Sequence, residues 1–170
     1  MGSVAVSGRS RKDIERIANR VRKLLDIDDL RFPIVTLIEI LGEPSEDGDV
    51  ILNHEIVEDW EMPNEYATYS PKNNTIRIRE SVYDGACAGN GRDRFTLAHE
   101  FGHFMLHGSQ DYQFARTGES LPAYRDPEWQ ANTFASMLLM PRDKIRGMTV
   151  DEVAEKCGTS RQAASIALKK

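Results

Sequence analysis

Through RKDIERIANRVRKLLDI, the residues Ile14, Ile17, Val21, Leu24 and Leu25 recur at three- and four-residue intervals with charged side chains between them. That period predicts an amphipathic helix with Asp13 near its start. FPIVTLIEILG predicts a second, short helix: Pro33 opens it, Leu37, Ile40 and Leu41 share a face, and Gly42 ends it. The period then changes. NTIRIRE alternates Ile76 and Ile78 with Arg77 and Arg79, the pattern of a strand with one wet face. DVILNHEIV and EYATYS read as two further short strands, and SPKNN as the turn of a hairpin. YDGACAGNGRD reads as a glycine-rich loop whose glycines do not follow a phosphate-binding pattern. A third helix is expected from about Arg94 to His107. A fourth is expected over DPEWQANTFASMLLMP, capped by Asp126, opened by Pro127 and stopped by Pro141. Between them, residues 108–127 form a long polar connection, a length that in compact domains is usually functional or mobile. TVDEVAEKCGTSRQAASIALKK predicts two short helices around a CGTS turn. The expected fold is α+β, mainly helical, with a small, three-stranded, mostly antiparallel sheet. Residues 1–12 are expected to be a flexible N-terminus, 13–141 the main domain, and 142–170 a C-terminal helical segment packed on it.

Composition narrows the picture without pointing to a chemistry. A chain of 170 residues is long enough to bury a core without staples. No run approaches the roughly 18 apolar residues needed to span a bilayer, and Val4 to Val6 is too short for the apolar core of a signal peptide. A cytoplasmic protein with no membrane partner is expected. Cys87 and Cys157 form no CxxC pair and read as two free thiols. A net charge of −5 argues against a broad face for polyanions.

The chemistry lies in FTLAHEFGHFMLHG. Residues four apart on a helix are separated by about 40° around the axis and about 6 Å along it, so His99 and His103 can point nitrogens at one centre. Glu100 lies to one side, where a carboxylate can serve as general base without ligating the metal. Catalytic zinc normally takes three protein ligands and keeps one open position. His107 rises about 12 Å from His99 on a straight helix, too far to share the ion, and the metzincin spacing is not met. Glu128 is the better third ligand. It shares a face of the fourth helix with Ala131, Asn132, Ala135 and Leu139, so the carboxylate points inward, where burial is costly unless a metal compensates. Asn132, one turn on, can accept a hydrogen bond from the non-ligating N–H of His99 or His103 and fix the ring. A blander alternative has the histidines packing within a core helix and Glu128 as an ordinary first-turn acid.

The pairing of RFTLAHEFGHFMLH with EWQANTFASMLLMP resembles the ImmA/IrrE family of zinc metallopeptidases, and the order of elements agrees over nearly all of residues 13–168. The resemblance implies a metallopeptidase domain over 13–141 holding one Zn²⁺. It implies His99 and His103 as ligands, Glu100 as catalytic acid/base and Glu128 as third ligand in the gluzincin manner. Family members often carry an acid where this chain has Gln130. His107 recurs in the family motif and is read here, with Asn132, as supporting the ligands. The implied activity is site-specific cleavage of a helix-turn-helix transcriptional repressor. The oxyanion-stabilising group is open, with Tyr66, Tyr69, Tyr83, Tyr112 and Tyr124 as candidates by chemistry.

Three other readings compete. From Arg142 onward Lys and Arg outnumber Asp and Glu seven to four, and VDEVAEKCGTSRQAASIALKK resembles a helix-turn-helix pair through Val153, Ala154, Ser160, Ala163, Ala164 and Ile166. A DNA reader generally needs more scaffold than this, and the segment equally suits packing or docking of a protein substrate. A metal-binding regulatory or toxin–antitoxin partner without peptidase activity would have no need of Glu100. Cys87 as a nucleophile lacks any activating neighbour in sequence. The loop from Gly108 to Pro127 and that from Gly85 to Gly91 are expected to border the cleft.

Overall fold

The computed structural model describes residues 4–108, 113–114 and 120–170. The fold is α+β and mainly helical. Helix α1, Arg11–Leu24, starts at a capping box in which the Ser10 hydroxyl accepts from Asp13 N–H and Asp13 reaches back to Ser10 N–H. Helix α2 is Ile34–Leu41. Ile34, Leu37 and Ile38, with Ile14 and Ala18 of α1, enter one core together with the sheet and the later helices, while Ile40, expected on the face of Leu37, is exposed.

The three-stranded sheet is made of β2 (Asn53–Val57), β3 (Ala67–Ser70) and β4 (Thr75–Arg79), in the order β2-β4-β3. The hairpin β3–β4 is antiparallel, with Tyr69 opposite Ile76. The other pairing, β2 with β4, is parallel, with Ile56 opposite Ile78. The sheet is therefore mixed, because β3 is inserted between the two parallel strands in sequence and occupies the edge in space. Ile76 and Ile78 are wholly buried, as the alternation of NTIRIRE requires.

The segment expected as a glycine-rich loop is mostly helical. Helix α3, Glu80–Cys87, runs through its first half, and the metal-motif helix α4, Gly91–Leu106, begins within it, capped by Asn90. Gly89, with φ of 88°, makes the left-handed turn between α3 and α4, whereas Gly91 serves close packing. A Cβ on Gly91 would lie 2.5 Å from Ser160 N and 2.8 Å from Thr159 Cα, so the backbone of α4 touches the backbone of the C-terminal turn. Gly91→Ala will therefore destabilise the protein. Overlap with immovable backbone costs roughly 1–3 kcal/mol, against a helix-propensity gain of at most about 1 kcal/mol. A lowered urea midpoint checks this.

Helix α5, Pro127–Leu139, crosses α4 at Gly102, where a Cβ would lie 3.1 Å from Phe134 Cδ1 and 3.2 Å from Ala131 O. The missing side chain lets the two helices approach, with His99 and His103 on either side of the crossing. Helices α6 (Arg142–Ile145), α7 (Val150–Cys157) and α8 (Arg161–Lys169) follow. Gly158 between the last two is left-handed, with φ of 65°. Val153, Cys157, Ala164 and Ala167 are buried in the common core, so this pair packs on the main domain. Both cysteines are free thiols, Cys87 exposed and Cys157 buried.

The N-terminal residues, expected to be flexible, are held from Val4 onward. Strand β1, Val4–Ala5, pairs antiparallel with β5, Gln113–Phe114. Val6 N–H donates to Arg125 O, Arg9 N–H donates to Tyr124 O, and Ala5 and Val6 are buried. These pairings are long-range, which a local period does not reveal. No helix among the described residues is long and apolar enough to cross a membrane.

Candidate metal centre

Helix α4 presents His99 and His103 from successive turns, and the first turn of α5 presents Glu128 to both. Asp126 caps α5 by accepting from Glu128 N–H, which fixes where that first turn begins. The His99 and His103 Nε2 atoms lie 3.1 Å apart. One Glu128 oxygen lies 3.0 Å from His99 Nε2 and the other 3.1 Å from His103 Nε2. The Glu128 carboxylate is not buried, contrary to the burial argued from its helical face: its side chain is 64% exposed. Its face does turn toward α4, but the first turn of α5 stands at the mouth of the cleft. Burial cost is thus a weak reason for its placement, and the two imidazoles are the strong one.

Electrostatics tie the trio together. Hydrogen bonding to His103 and then His99 holds the Glu128 carboxyl well below the usual carboxylate range. Burial pulls the His99 imidazole down, but its hydrogen bond to Glu128 and the charges of Glu100 and Glu128 outweigh this, leaving it raised. The site favours positive charge between the three side chains.

Glu100 sits beside this trio and is buried. One of its oxygens, Oε2, accepts from Tyr69 N–H at 2.7 Å, and the other, Oε1, stands 3.9 Å from His99 Nε2. Burial pushes its pKa up against the pull of His99 and His103. Edge strand β3 supplies the Tyr69 amide, a backbone contact that no side-chain pattern announces. His99, Glu100 and His103 form a cluster able to hold a metal ion.

Behind the trio lies a second layer of polar groups. Asn132 Oδ1 is 2.8 Å from His99 Nδ1. His107, fully buried, places Nδ1 2.9 Å from His103 Nδ1 and Nε2 2.9 Å from Gln130 Oε1. Gln130 donates in turn to Ser7 O and Tyr124 O. Gln130, expected only as a departure from the acid that family members often carry there, is placed by the structure behind the trio, on the inner side of α5.

A cavity of about 420 Å³ opens over the trio, lined by Val4, Glu65, Ala67–Tyr69, His99, Glu100, His103, Pro127 and Glu128. The segment Gly85–Gly91 does not line it. It lies at the opposite end of α4, about 12 Å along the axis from His99. Of the connection after α4, residues 109–112 and 115–119 lie outside the described residues; among the rest, Pro127 reaches the cavity. Of the candidate tyrosines, Tyr69 alone among the described residues lines it, and its hydroxyl bonds Asn74. Tyr66 has the guanidinium groups of Arg79 and Arg92 over its ring, Tyr83 donates to Glu39, and Tyr124 lies beside the N-terminal segment. Tyr112 lies outside the described residues. Cys87 is not at the cavity.

Residues 60–169, nearly two thirds of the chain, match the family model for the IrrE N-terminal-like domain, Peptidase_M78. The chain belongs to this family. It therefore carries a metallopeptidase-type domain, and the matched span includes β3, β4, both site helices and the C-terminal helix pair. No curated protein matches the chain significantly.

Proposed function

We propose that this chain is a cytoplasmic, zinc-dependent endopeptidase that cuts a helix-turn-helix transcriptional repressor at one site and so relieves repression. The observation that carries the metal assignment is the meeting of His99 Nε2, His103 Nε2 and the Glu128 carboxylate at 3.0–3.1 Å. Asn132 Oδ1 accepts from Nδ1–H of His99, which leaves Nε2 as the nitrogen that faces the carboxylate. The protons that join the imidazoles to Glu128 can give way to one divalent cation that binds all three donors. Ligand atoms around tetrahedral zinc are roughly 3.3 Å apart, given Zn–N bonds of about 2.0–2.1 Å, so the donor set suits one Zn²⁺. His99, His103 and Glu128 would hold it, with Asn132 and His107 orienting the imidazoles.

Zinc held there supplies a Lewis acid for the scissile carbonyl and makes water acidic enough to lose a proton near neutral pH. Glu100 then has a defined task. Tyr69 N–H occupies Oε2, so Oε1, on the His99 side, is the oxygen that takes a proton and later delivers it to the leaving amine. The raised pKa of the carboxyl allows both directions of transfer. Edge strand β3 and Pro127 form walls along which an extended chain can lie.

Purified, zinc-loaded protein incubated with any helix-turn-helix repressor found encoded beside its gene will yield one cut, read by mass spectrometry. A chelator will abolish cleavage and added zinc will restore it. An intact repressor beside zinc-loaded protein would overturn the assigned substrate.

A further inference from the structure

The polar layer behind the trio has a direction. Gln130 is wholly buried, and one end of its amide faces two backbone carbonyls, Ser7 O at 2.9 Å and Tyr124 O at 2.7 Å. Carbonyls only accept, so that end is the NH₂, and both of its hydrogens are used. The other end, Oε1, has only lone pairs to offer His107 Nε2, so His107 must carry its hydrogen on Nε2. One proton lies between His107 Nδ1 and His103 Nδ1, 2.9 Å apart, and a neutral His107 with its hydrogen on Nε2 accepts that proton from His103. Nε2, the atom that faces Glu128 and His99, is then the nitrogen left to bind an ion.

We infer that Gln130 is a positioning residue for the metal centre: anchored by the Ser7 and Tyr124 carbonyls, it selects through His107 the tautomer in which His103 presents Nε2 to the metal. This rests on the reading of His99, His103 and Glu128 as the ligand set. It makes the N-terminal segment, joined to the domain at Ser7, part of the apparatus that prepares the site.

Nitrogen-15 NMR of the imidazoles in the metal-free full chain reads the tautomer directly, and competition titration reads zinc affinity. Wild-type His103 will carry a proton on Nδ1. In Gln130→Met the His107 and His103 tautomers will mix, and zinc affinity will fall about 10-fold to 100-fold, the range for loss of a partner behind a metal-binding histidine. His107→Leu will weaken zinc similarly. His107→Gln, whose amide can accept from His103 and donate to Gln130, will stay close to wild type. A purely packing role predicts no such rescue. A single Nδ1-protonated His103 in Gln130→Met, with affinity within twofold of wild type, would overturn the inference. Should that variant not fold, equal affinities in the two His107 variants would overturn it instead. Zinc bound at full affinity in His103→Ala would refute the ligand set, while the metal-free tautomer would still report on Gln130.

Discussion

Glu100→Gln will keep its zinc and lose its peptidase activity. The substitution preserves shape, and the amide oxygen can still accept from Tyr69 N–H, as Oε2 does now at 2.7 Å. The NH₂ then takes the place of Oε1, on the side of His99, and has no lone pair to receive a proton. Nothing in the trio of His99, His103 and Glu128 is disturbed, so metal content will stay at one ion per chain. Loss of a positioned general base typically costs 10²–10⁴-fold, and the turnover of repressor or peptide will fall by about that factor. Metal analysis alongside single-turnover cleavage checks both halves. Turnover within tenfold of wild type would remove Glu100 from its role. Loss of zinc would make it a ligand rather than a base.

Arg94→Met will produce the largest loss of stability with the site itself intact. Arg94 is 5% exposed, five residues before His99 on α4, and its guanidinium donates to Phe32 O at 2.7 Å and Gly158 O at 2.9 Å. Those carbonyls belong to the entry into α2 and to the left-handed turn between α7 and α8, so one side chain ties three segments together. Burial lowers its pKa, and the neighbouring Arg31 adds to that effect. Methionine fills the stem but donates nothing. Two carbonyls lose a buried donor at about 1–3 kcal/mol each, a large share of the 5–15 kcal/mol that holds an ordinary domain together. A urea titration will show a lower midpoint at unchanged slope. The folded fraction will bind zinc as wild type does. A midpoint equal to wild type would mean that water replaces the guanidinium without cost.

Arg94 also marks the limit of what the chain discloses on reading. Both it and Arg22 read as polar positions on helices, yet Arg22 is buried too, donating to Leu138 O, Asp29 O and Leu30 O. Their partners are backbone carbonyls at loop and helix ends, which carry no residue-type signature. Local periods located the two site helices, because a face repeating every three to four residues is a property of one segment. The convergence of Glu128 with the histidines was legible for the same reason, although burial was the wrong argument for it. The helix at Glu80–Cys87 was hidden by three close-set glycines, of which Gly85 lies within the helix beside Asp93 and only Gly89 makes a left-handed turn. The parallel pairing of β2 with β4 and the anchoring of Val4–Arg9 were hidden because they join distant segments. Tyr69 N–H at Glu100 and the chain through Gln130 belong to that class as well.

Anomalous diffraction at the zinc edge from crystals of the zinc-loaded protein tests the central claim most directly. The account predicts one strong peak about 2.0–2.2 Å from His99 Nε2, His103 Nε2 and a Glu128 oxygen, with Glu100 outside bonding range. A peak elsewhere, or one at the histidines with Glu128 turned away into solvent, would contradict it.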